Sequence, residues 1–204
     1  MKNKSFTGIA IALLLITVLT ACKGLSSDKV RRLTTAEQEV KARWADIENQ
    51  YQRRADIFMN IIASVKRIQE IDNPEQQSQA LKQLQAVAND AKSLNNVKVD
   101  IYDEQSLNNF ITSQDKLRDK FLFAIDAANE ALPQLKTKDL YMNYLTQIEG
   151  VENRILSAKN SYISASKDYN TLINEFGKEK ALDSGFKELP LFQSKDYTTP
   201  NLDY

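Results

Sequence analysis

Residues 138–176 read KDLYMNYLTQIEGVENRILSAKNSYISASKDYNTLINEF. Within them Tyr141, Ile148, Ile155, Tyr162, Tyr169 and Phe176 stand seven apart, and Tyr144, Val151, Ala158, Ala165 and Leu172 form a companion row. All of these seam positions are apolar, aromatic or Ala. A repeat of seven returns to the same face of an α-helix every two turns, so the stretch predicts one long helix with a continuous buried seam. Tyr rows beside Ala rows give a neighbouring helix room to interdigitate. Gly177 follows as a helix stop. The paired carboxylates Glu149 and Glu152 share a helix face, a pattern that reads first as solvated surface.

The same reading extends N-terminally. Val40, Ile47, Ile61 and Ile68 repeat by sevens beside Trp44, Tyr51, Phe58 and Val65. They predict a first helix over 35–71, with Thr34-Thr35-Ala36-Glu37 at capping-box spacing. Asn73-Pro74 then ends one helix and opens a second, 74–94, with Leu81, Leu84, Ala88 and Ala91 on one face. A loop with an extended Val97-Lys98-Val99 piece precedes a third helix, 104–132, whose stripe is Leu107, Phe110, Leu117, Phe121, Ala124 and Ala128, closed by Pro133. Short connections favour antiparallel neighbours. The fold expected is all-α: an elongated up-down-up-down antiparallel four-helix bundle over 35–177. Residues 178–204 form a tail that could dock Phe186, Leu191 and Phe192.

Composition agrees. The 204 residues hold only 5 Gly and 4 Pro, too few turn formers for a many-stranded β protein. There is no His and one Cys, so neither a His-based catalytic set, nor a His zinc site, nor a disulfide can be built. Lys plus Arg equals Asp plus Glu at 27 each, which argues against a nucleic-acid partner, and Arg53-Arg54 is too short for a basic patch.

The N-terminus carries an address. Lys2 and Lys4 precede an apolar run, Ile9 to Leu19, of eleven residues. That is too short to span a bilayer, which takes ~20, and suits the core of a secretory signal peptide. Leu19-Thr20-Ala21-Cys22 resembles the bacterial lipobox: a branched residue, two small ones for the peptidase, then the Cys whose thiol takes the diacylglyceryl group. The chain's lone Cys falls where lipidation requires it. The expected organisation is a cleaved signal at 1–21, a lipidated N-terminus and tether at 22–34, the bundle, and the tail. The expected location is the extracytoplasmic face of a bacterial membrane, held by lipid on Cys22. Removing the signal's two Lys leaves a slightly acidic body, so the lipid and not charge would hold it there.

Trp44 to Asp56, running on to Asn60 and Val65-Lys66, resembles the signature of the LemA family of bacterial proteins. So do Ile148-Glu149-Gly150-Val151-Glu152-Asn153-Arg154-Ile155, with Ala158, Tyr162 and Tyr169-Asn170 after it, and the closing Gly185-Phe186-Lys187 and Leu191-Phe192. The likeness covers most of 35–193. It implies a helical bundle outside the cytoplasm and brings no established catalytic activity. The family usually has Pro where Met59 stands and often Gly where Arg67 stands. A Pro would kink the first helix, so here it should run straighter.

Three breaks in the apolar rows are the candidate site. Arg54 interrupts the Val40, Ile47, Ile61 row. Gln114 interrupts the third helix between Phe110 and Leu117. Glu152 flanks the seam of the fourth. Placing the midpoints of the first and fourth helices together makes paired positions sum to about 210. That sets Trp44 in the Ala165 neighbourhood and Arg54 about one turn from Glu152. The expectation is a polar layer in which Arg54 turns towards Glu152, with Gln114 as a third member, inside the bundle; the alternative is that Arg54 snorkels to water and its row drifts off the seam. Functionally the sequence suggests a tethered scaffold or interaction protein with an envelope protein as partner, without cofactor, metal or catalytic residues. The alternative is a carboxylate-based enzyme or small-ligand carrier within the bundle.

Overall fold

The computed structural model describes residues 24–67 and 74–192, and within that range all regular structure is helical. In chain order the elements are α1 (Ser27–Lys66), α2 (Pro74–Asn95), α3 (Glu104–Ala131), a 3-10 turn (Pro133–Thr137), α4 (Asp139–Phe176) and α5 (Lys178–Asp183). None of the described helices is long and apolar enough to cross a membrane. The signal region, Cys22, Ile68 to Asn73 and the tail beyond Phe192 lie outside the described residues.

α1 begins eight residues before the expected start, inside the stretch read as tether. The Thr signals do not cap it. The Thr34 and Thr35 hydroxyls instead donate back along the helix to the carbonyls of Val30 and Arg31, at 2.9 and 3.0 Å. Burial overrides the capping pattern: Leu33, one heptad before Val40, is fully buried, and Leu25 and Val30 pack beside it. α1 runs unbroken through Met59, whose side chain is exposed. α3 starts with a side-chain cap, the Ser106 N–H donating to Asp103 Oδ1 at 2.8 Å. Gly177 ends α4 with φ of +95°, a conformation L side chains rarely adopt.

α1 and α4 make the most extensive helix–helix contact, followed by α2 with α3 and α1 with α2. Side-chain pairs fix the directions. Trp44 meets Tyr162 and Arg54 meets Glu152 between α1 and α4. Gln77 and Asn95 of α2 donate to the carbonyls of Val65 and Tyr51 on α1. Lys120 of α3 pairs with Asp90 of α2, and Tyr141 of α4 donates to Asn129 of α3. Gln114 of α3 also meets Asn95 of α2, and Lys159 of α4 meets Asp115 of α3, so in all four helix pairs the residue numbers run in opposite senses and the neighbours are antiparallel.

Across α1 and α4 the paired positions, 44 with 162 and 54 with 152, sum to 206, one turn away from the expected 210. The midpoint rule itself holds. With the observed ends, α1 centres between Asp46 and Ile47 and α4 between Ser157 and Ala158, which gives 204. The displacement comes from the unforeseen first turns of α1. As a result Ala165 lies across a groove from Ala36, Glu39 and Arg43, about one turn from Trp44. Trp44 is buried, as expected, but its ring meets Tyr162 and Phe110 at centroid distances of 5.5 and 5.7 Å.

The core falls into two clusters. The first joins α1 from Ala55 onward, α2, α3 from Leu117, the 3-10 turn and α4 up to Val151. The second joins α1 up to Tyr51, the start of α3, α4 from Ile155, and the tail. α2 contributes to the first alone. In the second its place is taken by the 96–103 connection, which buries Ile101, and by residues 184–192. The connection contains no strand, so the extended piece expected at Val97–Val99 does not pair. The tail docks with Phe186, Leu189 and Phe192, while Leu191, expected to dock, is exposed. Asn170 holds it like a strand partner: its amide donates to the Leu189 carbonyl at 2.8 Å and accepts from the Leu189 N–H at 2.9 Å. Phe192 stacks on Tyr162, rings 11° from parallel.

Candidate functional site

The boundary between the two clusters is polar. Arg54 sits between Tyr51 and Ala55, Gln114 between Ile111 and Leu117, and Glu152 between Val151 and Ile155. Arg54 is 2 % exposed and Gln114 fully buried, and the Glu152 side chain is 12 % exposed. The Arg54 guanidinium donates from Nη1 to Glu152 Oε1 at 3.1 Å. From Nη2 it donates to Gln114 Oε1 at 2.6 Å and to the Gln114 carbonyl at 3.1 Å. Its carbon lies 4.9 Å from the centre of the Tyr51 ring. The structure thus brings the three sequence-predicted residues together. It also corrects the solvated reading of the Glu149–Glu152 pair: Glu152 turns inward, and Glu149 is half-buried.

The layer reaches further than three residues. Gln114 donates through Nε2 to Asn95 Oδ1 at 3.2 Å, and Asn95 donates to the Tyr51 carbonyl at 3.1 Å, so α2 joins the network at its last residue. Arg118 places Nε 3.9 Å from Glu152 Oε2. Two turns along α4, Lys159 donates to Asp115 at 2.8 Å in a second pair whose partners are 4 and 18 % exposed. Asn95, Asp115, Arg118 and Lys159 went unrecognised in the sequence. A signal was present: Leu145, Glu152, Lys159, Ser166 and Ile173 form a third row of sevens on α4, and four of the five are buried. Arg118 likewise stands midway between Ile111 and Ile125.

A second polar group lies in the tail-covered half. The Tyr102 hydroxyl donates to Glu37, which also pairs with Lys41 at 3.0 Å. Burial pushes the Tyr102 hydroxyl far above its usual range, and the Glu37 carboxylate adds to the rise. Burial likewise lifts Tyr162 to about 12, and burial with Glu37 lifts Tyr169 to about 12. Ser166 and the Lys187 backbone offset these two rises in part. Even so, the hydroxyls of Tyr162, Ser166 and Tyr169 are enclosed without a hydrogen bond of ordinary geometry.

Chemically, the central layer is a set of groups spent on one another. An Arg cannot surrender its proton, and a carboxylate held by Arg54 is an acceptor already in use. The arrangement suits register. Sliding α1 by one turn along α3 and α4 would take Arg54 away from Gln114 and Glu152 and leave a buried cation unpaired, at a cost of several kcal/mol. No curated protein matches the chain. The sequence model of the LemA family matches residues 43–204, which takes in α2, α3, α4 and the tail whole and most of α1 with Arg54. The chain belongs to the LemA family.

Proposed function

We propose that this LemA family member is a lipid-anchored protein of the extracytoplasmic face of a bacterial membrane. Its body is an elongated up-down-up-down four-helix bundle that serves as a scaffold or interaction surface for another envelope protein and carries out no catalysis. The address is supported by the basic start, the eleven-residue apolar run and Leu19-Thr20-Ala21-Cys22. The non-catalytic role is supported by one observation above all: the half-buried carboxylate of Glu152, which an acid–base reaction would need, is bound to Arg54, whose second nitrogen is bound to Gln114. Such a layer holds helices in register and leaves recognition to the long outer faces of α1 and α4.

The test is cross-linking in intact cells followed by recovery of the protein from membranes. A reproducible protein partner, lost when exposed residues of α1 or α4 are changed to Glu and retained when Arg54 is changed, supports the scaffold. Stoichiometric co-purification of a metal or small molecule, lost in Glu152→Gln, would instead establish the carrier or enzyme.

A further inference from the structure

The end of the molecule built from the start of α1 and from α5 has a specific covalent relation to Cys22. The Leu25 N–H donates to Ser184 Oγ at 3.1 Å, and a Cβ added to Gly24 would stand 3.6 Å from the same oxygen. The chain's first described residues are therefore fastened to the turn after α5. Cys22 is two peptide steps from Gly24. At ~3.8 Å per step its Cα lies within about 8 Å of Gly24. Covalent spacing thus puts the lipidation position two residues from the described body, in which α1 starts at Ser27 and most of the expected tether is helix.

This end also presents what an interface with lipid requires. Leu182 is 59 % exposed on α5, next to the buried Ala181. Lys178 and Lys180 precede it on the same short helix. The Lys29 ammonium and the Arg32 guanidinium each lie 4.9 Å from the centre of the Phe176 ring, so this end carries cations held on an aromatic face. Acidic residues are interleaved, and Lys178 pairs with Glu188 at 2.6 Å, so net charge does not drive the contact. Proximity does. We infer that this end is a membrane foot: the bilayer surface is its partner, Leu182 rests at headgroup level, and α1 and α4 project from that point. The inference rests on the lipid anchor proposed above and adds which face meets the lipid.

The experiment keeps the two apart. The full precursor carrying Leu182→Cys is produced in a lipidating bacterium, where the Cys22 thiol is consumed as a thioether and residue 182 offers the single free thiol. A second precursor carries Thr137→Cys, at the opposite end of the long helices. Both are labelled with a polarity-sensitive fluorophore and reconstituted into phosphatidylcholine–phosphatidylglycerol vesicles containing headgroup-nitroxide lipid. The expected result is a blue-shifted probe at 182, quenched several-fold more than the probe at 137, in protein that floats with the vesicles. Equal, weak quenching at both positions in floating protein overturns the foot while the anchor stands. Protein that carries no lipid on Cys22 and does not float overturns the anchor, and the foot with it. Because Leu182 is exposed, its replacement leaves the fold intact, which circular dichroism of the same sample verifies.

Discussion

Arg54 is where the seven-residue rows carried the most information by failing. A cation in the row of Val40, Ile47 and Ile61 had to find a partner or escape, and it found Glu152 and Gln114. Lys159 and Ser166 were illegible for the converse reason. Two successive polar residues after Glu152 make a row look like surface, although Lys159 is held by Asp115 of α3 and both Lys159 and Ser166 are buried. Changing Arg54 to Met leaves the buried Gln114 amide oxygen without its donor and Glu152 with only Arg118 at 3.9 Å, and should cost about 3–5 kcal/mol in thermal unfolding. Arg54→Met with Glu152→Leu should lie much closer to the parent than the sum of the single changes. If each single costs under ~0.5 kcal/mol and the two add, the layer is not a unit. The tyrosines give a pH-dependent counterpart. The fold favours the neutral phenols of Tyr162 and Tyr169, so their contribution is complete below the unfolded value near ~10 and disappears as pH rises through about 12. The melting temperature should therefore fall between those values, and Tyr162→Phe with Tyr169→Phe should flatten the fall. At neutral pH the same pair should cost little, since neither hydroxyl has a hydrogen bond of ordinary geometry to lose.

At the scale of elements, the four long helices and their stop at Gly177 were legible because the apolar period is unbroken over several turns. The start of α1 was not. Its cap-like Thr34-Thr35 is a local signal, whereas the burial of Leu33 depends on α4 and the tail more than a hundred residues away. One misplaced end then shifted the register of the whole α1–α4 pair by a turn. The tail shows the same limit: Phe186 and Phe192 were legible as apolar, but Asn170 as its clamp depends on geometry alone. This strap stands in for α2 over half the core. Ending the chain after Ser184 removes three buried side chains worth about 1.5–3 kcal/mol each and should lower the melting temperature sharply. Asn170→Ala, which leaves the Leu189 N–H and carbonyl without partners, should cost about 1–3 kcal/mol. Limited proteolysis should then cut first between Phe186 and Phe192 if the strap is held as described.

For the molecule as a whole, class and family were legible and the process served was not, because neither the helical seams nor the polar layer names a partner. Cys22→Ser should abolish lipidation and leave the precursor joined at Ala21. Mass spectrometry of the purified N-terminus checks this, and an unmodified Cys22 still joined to Ala21 in the native protein would refute the anchor. The pairing of α1 chiefly with α4 also sets an order of events. α1 ends at Lys66 and α4 begins only at Asp139. A chain delivered from its N-terminus therefore presents the apolar rows of α1 well before their principal complement exists. The α2–α3 hairpin can close early, since its contacts are local, but α1 and α4 must close a long loop, which is the slow class of folding event. The half of the core covered by the tail must wait longest, because Phe192 cannot stack on Tyr162 until nearly all of the chain has arrived. A protein wired in this way stays open during its own synthesis, and any machinery that threads unfolded chains has that interval in which to act.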